Sequence, residues 1–362
     1  MKSPHARMPH PQAKQFLHAI QHEALLHKEI PPALNTLQAS FGQQNPLKMV
    51  SFADGYHLPD HTTYEHLQSD WATIEDNSMF EFRLHVNTKT QPDQPLLLLH
   101  VATQHQARCY PLVKLTLEPH SRLQLFEYHT SILNPSYYYN STLRIILQPH
   151  SELHHVRFIR NSREGQYKLT TQVYQHNNSS YHLHEISLSS VWRSSTTDVY
   201  LQQPHAQCDL QALDVGQRQQ SSHHHMTVHH KAPHCSSRQL HKGLYAGSAR
   251  GVFVGEAVVD KQAVHTKAHQ LTRSLLLSPH AQAYSQPQLQ IETDEVQCGH
   301  GAAVSQLDEQ AVFYLQSRGI DRHCACRILT RAFTQEVLHT IKPVWLRNWV
   351  QERLQSTFGS MV

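Results

Sequence analysis

Leu117-Glu-Pro-His-Ser-Arg-Leu123 returns as Leu147-Gln-Pro-His-Ser-Glu-Leu153. It recurs more loosely at Gln203-Pro204-His205-Ala206 and Ser278-Pro279-His280-Ala281. Each copy follows an apolar run, and the first three lead into another. Proline at such a corner removes a backbone donor that would have no ladder partner. Strand–corner–strand units without helical crossovers argue for a β-helix or related solenoid. The uneven separation of the copies argues against a propeller, whose blades recur at a fixed length. The competing reading is a common turn in a histidine-rich chain.

The surrounding texture agrees with a solenoid. Short apolar or β-branched runs follow one another at Met49–Phe52, Leu96–Val101, Val113–Leu117, Leu123–Tyr128, Leu143–Leu147, Leu153–Ile159, Leu169–Tyr174, Ser187–Trp192, Thr197–Leu201, Gly251–Val259 and Leu289–Ile291. Many short strands joined by turns have this pattern. The expected organisation is a helical lead over residues 1–45, a mainly β core over 46–304 and a helical domain over 305–362. In the lead, Phe16, Ile20, Ala24 and Leu25 fall at helical spacing before Pro31-Pro32 breaks it. In the tail, Ser305-x-x-Asp308 resembles a capping box, and Val312, Leu315 and Tyr314 lie on one side of the helix that follows. Gly319 is placed to end it and Asp321 to cap the next, which runs through Ile328, Leu329, Ala332, Phe333, Val337 and Ile341 to Pro343. Trp345 and Trp349 lie four apart on a last segment with Leu346 and Leu354.

The chain has 362 residues with 31 basic and 28 acidic side chains, a net charge of +3 that implies neither nucleic acid nor an anionic membrane as partner. Its 33 histidines would add positive charge quickly in mild acid. The six cysteines are too scattered for a disulfide framework. The start lacks the apolar core of a signal peptide, and no run has the length of a membrane span. A soluble, cytoplasmic protein of a reducing compartment is expected.

Two places carry metal-ligand chemistry. Cys298 and His300 stand two apart in Asp294-Glu-Val-Gln-Cys-Gly-His-Gly-Ala302, and on a strand they share a face. A thiolate beside an imidazole suits iron or zinc, but the pair is half a site. The densest cluster is Ser221-Ser-His-His-His-Met-Thr-Val-His-His-Lys-Ala-Pro-His-Cys235. On a strand His223 and His225 share one face and His224 the other, with His234 a further candidate ligand; the bland alternative is a solvated, His-biased strand. Cys324 and Cys326 diverge by about 200° on a helix and read as packing. No phosphate-binding loop, dinucleotide fingerprint, zinc-protease helix or nucleophile elbow is present. The chain reads as a scaffold rather than an enzyme.

Further stretches resemble a known family. His234-Cys-Ser-Ser-Arg-Gln-Leu-His-Lys-Gly243, Ala249-Arg-Gly-Val-Phe-Val-Gly255, Leu275-Leu-Leu-Ser278, Pro287-Gln-Leu-Gln-Ile291, Asp294–Ala302, Gln306-Leu-Asp-Glu309, Phe313-Tyr-Leu315 and Ser317-Arg-Gly-Ile320 come in one order over about 90 residues. Together they resemble the SufB/SufD family of iron–sulfur cluster assembly proteins. The Cys-x-His-Gly-Ala form is similar to its SufD branch, since SufB usually carries an acidic residue where Gly301 stands.

The resemblance implies a right-handed parallel β-helix core flanked by helical ends. It implies a complex with SufB and two copies of the ATPase SufC. The tail helices, through Leu307, Val312, Phe313, Leu315, Ile328, Leu329 and Phe333, would dock on SufC. The ends of two β-helices would join, with His300 facing SufB and Cys298 beside it, where a transient iron–sulfur cluster forms. ATP-driven dimerisation of SufC would then pull on the tails and alter the junction. A reduced flavin is associated with such complexes, although no flavin motif is present. The isolated chain is expected to be able to pair with a second copy of itself. The alternatives are a stand-alone His-rich metal-binding β-solenoid using His223–His234, and a purely structural module in which Cys298 and His300 are inert.

Overall fold

The structure is a computed structural model. It describes residues 49–361 apart from 54–55, 58–71, 79–80, 94, 103–105, 107, 132–135, 161–163, 189 and 359–360. The expected helical lead over residues 1–45 lies outside the described residues. The chain divides into two compact units at Pro46 and Leu47, and every described residue belongs to the second.

From Leu112–Leu117 onward the chain lays successive strands in two sheets by turns, and among the described residues each sheet has ten strands. The first sheet contains Arg122–Ser131, Glu152–Arg160, Ser180–Leu188, Gln207–Gly216, Ser236–Tyr245, Thr266–Leu276 and Val296–Gln306. The second contains Leu112–Leu117, Tyr138–Leu147, Gln166–Gln175, Trp192–Leu201, Ser221–His230, Arg250–Val259 and Gln282–Ile291. All these pair in parallel, and among the described residues only the opening strands pair antiparallel, Met49–Ala53 with Tyr56–His57 and Ala72–Ser78 with Glu81–Val86. The result is the expected parallel β-solenoid, of about 7 turns.

The Pro-His motif builds one corner. His120, His150, His205, His234 and His265 all take positive φ of about 60°, as does Asn178 at 53°. Histidine and asparagine tolerate this left-handed region better than most side chains. Each corner amide donates to the corner above, as His120 N to Pro149 O at 3.1 Å and Asn178 N to Pro204 O at 3.1 Å. The hydroxyl after the turn closes it: Ser121 Oγ donates to Glu118 O at 2.6 Å, Ser151 Oγ to Gln148 O at 2.7 Å and Thr266 Oγ1 to Ala263 O at 2.8 Å. Along this edge the imidazoles stack, His120 on His150 at 4.7 Å and His234 on His265 at 4.8 Å. The fourth copy, Ser278–Ala281, sits at the opposite corner, where Ser278 Oγ accepts from Gly247 N at 2.8 Å. The run Ser187–Trp192 is not one strand: Ser187 and Leu188 end one strand and Trp192 begins the next.

The interior is apolar along most columns, from Val50 to Phe253. One column is charged. In register on successive rungs stand Glu127, Arg157, Glu185, Ala212, His241 and Thr272. Arg157 Nε donates to Glu127 Oε2 at 2.7 Å and Nη1 to Glu185 Oε2 at 2.9 Å. Arg193 crosses from the second sheet to bond Glu185 Oε1 at 3.1 Å and Asp214 Oδ1. Burial pushes the Glu127 carboxyl up, but Arg157 and the His129 hydrogen bond outweigh it and hold the group well below the usual carboxylate range.

Close approach explains the glycines of Ala249–Gly255. A Cβ on Gly251 would collide with the ring of buried Tyr245, which fills the space its absence leaves.

Three helices follow: α1 (Glu309–Ser317), α2 (Arg322–Leu338) and α3 (Val344–Phe358). The N-cap of α1 is Asp308 rather than Ser305, because strand pairing of Val296–Gln306 with Thr266–Leu276 runs on through Ser305. Gly319 at φ 84° follows α1, and the Asp321 side chain accepts from Cys324 N at 3.0 Å to cap α2. Helices α2 and α3 lie on the outer face of the first sheet. Trp349 meets Phe126, Tyr128 and Phe158 with ring centroids 5.1–5.4 Å apart. Lys242 Nζ bonds Glu336 at 2.7 Å and donates to Phe333 O at 2.8 Å. No helix among the described residues is long and apolar enough to cross a membrane.

Candidate interface and metal-ligand site

Cys298 and His300 lie on Val296–Gln306, the last strand of the first sheet. Their parallel partners are Ala268 and Gln270, both buried. Those residues continue through Ser237 and Gln239 on the next rung, so Cys298 and His300 stand in columns that line the interior. Lys267 and His269, which alternate with them, face outward and are exposed. Gln282–Ile291 is the last strand of the second sheet, and its half-buried Ala283, Ser285 and Pro287 stand in register with the interior positions Gly251, Phe253 and Gly255. Among the described residues no strand pairs beyond either terminal strand. This end therefore presents two unpaired edges and an uncovered interior, a template for another β-structure.

At this end His300 is exposed and Cys298 half-buried. Burial pushes the Cys298 thiol up, and the backbone of Ala268 offsets this only in part. In the isolated chain it is a thiol at neutral pH; a metal or a partner's positive charge is needed to make it a thiolate ligand. The pair supplies two donors where tetrahedral sites need three or four, and no third histidine, cysteine or carboxylate completes a cluster with it among the described residues.

The helical candidates divide. Val312 is buried against Ala325 and Cys326, with Leu307, Leu315 and Leu329 packed around them. Phe333 sits under Lys242, whose Nζ lies 4.6 Å from the ring centroid. Phe313 is 72% exposed and Ile328 46%, and Tyr314 joins them at 58%. The apolar surface left over by the hairpin is thus Phe313, Tyr314 and Ile328.

The histidine tract is dispersed rather than gathered. His223 is exposed near Trp192 and Ser221 on the outer face of Ser221–His230. His225, on the same face, lies 3.8 Å from Glu256. His234 belongs to the corner column, stacked between His205 at 5.1 Å and His265 at 4.8 Å. His224 faces inward between Glu185 and Asp214. Sequence reading passed over it in favour of its outward neighbours; its alternation with them was the one available signal.

A family model described as "SUF system FeS cluster assembly, SufBD core domain" matches residues 100–333. An iron–sulfur cluster assembly SufBD family protein of Synechocystis is 30% identical over 263 residues, 70% of this chain and 58% of that protein. The chloroplastic protein ABCI7 of Arabidopsis thaliana is 37% identical over 205 residues, 56% of this chain and 43% of that one. The Escherichia coli iron–sulfur cluster assembly protein SufD is 24% identical over 268 residues, 73% of this chain and 63% of that protein. The chain thus spans less than two thirds of the length of these relatives. The matched residues run from the His100 rung through the terminal strands to Phe333 on α2, and by this solenoid core the chain belongs to the SufB/SufD family of the SUF iron–sulfur cluster assembly system.

Proposed function

We propose that the chain is a SufD-like scaffold subunit, non-catalytic itself, that works in a complex with SufB and the ATPase SufC. Its open solenoid end joins the corresponding end of SufB, and iron and the nascent cluster, as cargo, meet Cys298 and His300 there. The remaining ligands come from SufB. Phe313, Tyr314 and Ile328 on α1 and α2 form the contact with SufC. Movement of SufC on ATP binding is passed to the junction through α2, which is tied to the first sheet by Lys242–Glu336. The observation that carries this reading is the position of Cys298 and His300 on interior columns of the last rung, beside edges that have no strand beyond them among the described residues.

The test is anaerobic co-expression with SufB and SufC and determination of the subunit ratio. A stable assembly with one SufB, two SufC and one copy of this chain is expected. Phe313→Asp is expected to release SufC, and His300→Ala to keep the assembly while stopping cluster formation. A chain that purifies alone from such cells contradicts the reading. A second reading, in which the junction is structural and the pair inert, is favoured by the raised Cys298 thiol; cluster assembly undiminished in the His300→Ala, Cys298→Ala double variant would decide for it.

A further inference from the structure

Among the described residues three clusters of imidazoles and carboxylates are close enough to share a cation: His100–Glu127–His129, Glu152–His154–His182 and Asp214–His224–His241, each with ligand atoms within 4.8 Å of one another. Ring geometry separates them. The lone pair of an imidazole nitrogen lies in the ring plane. His100 and His129 stack at 4.3 Å and 9°, His154 and His182 at 4.6 Å and 10°. Near-parallel planes offer no common point at bonding distance. His224 and His241 cross at 72° with centroids 5.7 Å apart, so their planes converge.

Asp214 divides its oxygens in a way that suits an ion. Oδ1 accepts from Arg193 Nη2, while Oδ2 faces His241 Nε2 at 3.1 Å and His224 Nδ1 at 3.6 Å. Two ligand atoms bound to one tetrahedral ion lie about 3.3 Å apart, from metal–nitrogen distances near 2.0–2.1 Å. Both separations bracket that value. His241 is already oriented, with Nδ1 on Thr272 Oγ1 at 3.3 Å and Phe253 stacked on its ring at 4.2 Å. A metal-bound imidazole ordinarily has such an outer partner. His224 is 1% exposed; among the described residues its Nε2 has no hydrogen-bond partner, and its Nδ1 has carboxylates only at 3.6 Å (Asp214) and 3.8 Å (Glu185), beyond ordinary hydrogen-bond distance. Buried polar groups are nearly always satisfied, so this ring points to a ligand. Charge agrees: among the described residues the buried carboxylates Glu127, Glu185 and Asp214 share two guanidiniums, those of Arg157 and Arg193, and are otherwise faced by histidines.

We propose that Asp214, His224 and His241 bind one divalent transition-metal cation inside the solenoid. Two imidazoles and a carboxylate suit iron(II) or zinc(II). On binding, the neutral His241 ring gives Nε2 to the metal and carries its one proton on Nδ1, toward Thr272 Oγ1, so no net proton leaves this ring. The site is separate from the junction: His241, Thr272 and Ala302 are in register on successive rungs, which puts it two rungs, about 10 Å, from the terminal strand. It needs no partner chain and stands whether or not the scaffold reading holds.

The experiment uses the full chain, stripped with a chelator and titrated anaerobically with cobalt(II). One cobalt per chain is expected, with visible bands of nitrogen and oxygen ligation, no thiolate charge-transfer band, and a higher melting temperature. His224→Gln is expected to weaken cobalt binding by more than about 100-fold, beyond the effect of losing an outer partner, while His300→Ala and His154→Gln leave it unchanged. X-ray absorption of the zinc-loaded wild-type chain, which needs no variant to fold, is expected to read two imidazoles and no sulfur. Absence of stoichiometric binding would overturn the proposal. Binding lost in His300→Ala or His154→Gln, or a sulfur scatterer, would overturn it equally.

Discussion

Arg157→Met tests whether the charged interior column is dry. The guanidinium is 1% exposed and bonds Glu127 at 2.7 Å, Glu185 at 2.9 Å and Thr171 Oγ1 at 2.8 Å. Methionine roughly keeps the volume but leaves two buried carboxylates short of a cation. Breaking one side of a buried pair costs about 3–5 kcal/mol. Glu185 retains Arg193, and Glu127 retains His129 and His155, so the low end, about 3 kcal/mol, is expected. Adding Glu127→Gln removes the stranded charge and should recover about 1–2 kcal/mol of it, the scale of coupling between groups in contact. The sign with pH is fixed. The Glu127 pKa is depressed in the folded chain, so its ionised form contributes stability above the unfolded pKa that is lost as pH falls through the folded one. The penalty of Arg157→Met should therefore shrink as pH falls below about 4.5, the unfolded value, toward the depressed folded one. Urea unfolding followed by far-UV circular dichroism, with fits that allow a stacked array to unfold in stages, measures all three. A cost below about 1 kcal/mol, or no recovery in the double variant, would show that water screens the column as it does surface pairs and would refute the reasoning.

Three further outcomes follow from the packing. Burial pushes His184 down to about 3 and His230 down to about 4, so the unfolded chain takes up protons below about pH 6.5 that the folded chain refuses; the melting temperature should fall as pH drops from 7.5 to 5, and less so in His184→Gln. Trp349→Ala removes the contact of α3 with Phe126, Tyr128 and Phe158 and should cost about 3–5 kcal/mol, read as faster hydrogen exchange confined to 344–358 and the strands beneath. Gly251→Ala forces Tyr245 from its place and should cost about 1–3 kcal/mol, with a changed near-UV tyrosine signal; an unchanged signal would place the ring elsewhere.

The solenoid was legible because its corners repeat, yet its period was hidden. Asn177-Asn178 and Val264-His265 make the same corner as Pro119-His120 without the proline, and turns of unequal length put the rungs at Glu152, Ser180, Gln207 and Ser236. Strands such as Gln207–Gly216 and Thr266–Leu276 escaped because the interior they face is partly charged, so apolar alternation fails where Asp214 or Gln270 points inward. Cys298 and His300 were found from spacing alone, since period two on a strand is reliable. Their place at the end of the β-helix came from the switch to helical pattern after 304 and from the family resemblance, and not from spacing, because strand order is a long-range property. His224 was missed for the same reason: its partners Asp214 and His241 come from other rungs. The capping box at Ser305 does not form, because ladder pairing runs through Ser305 and the cap falls three residues later at Asp308.

The central claim is that the open end of this solenoid is where SufB docks. Hydrogen exchange of the chain with and without SufB reads it strand by strand. Slowed exchange of amides in 282–291 and 296–306 on mixing, with the corner column at His120–His265 unchanged, is the predicted result; unchanged exchange on both terminal strands while the two proteins remain bound would contradict the account.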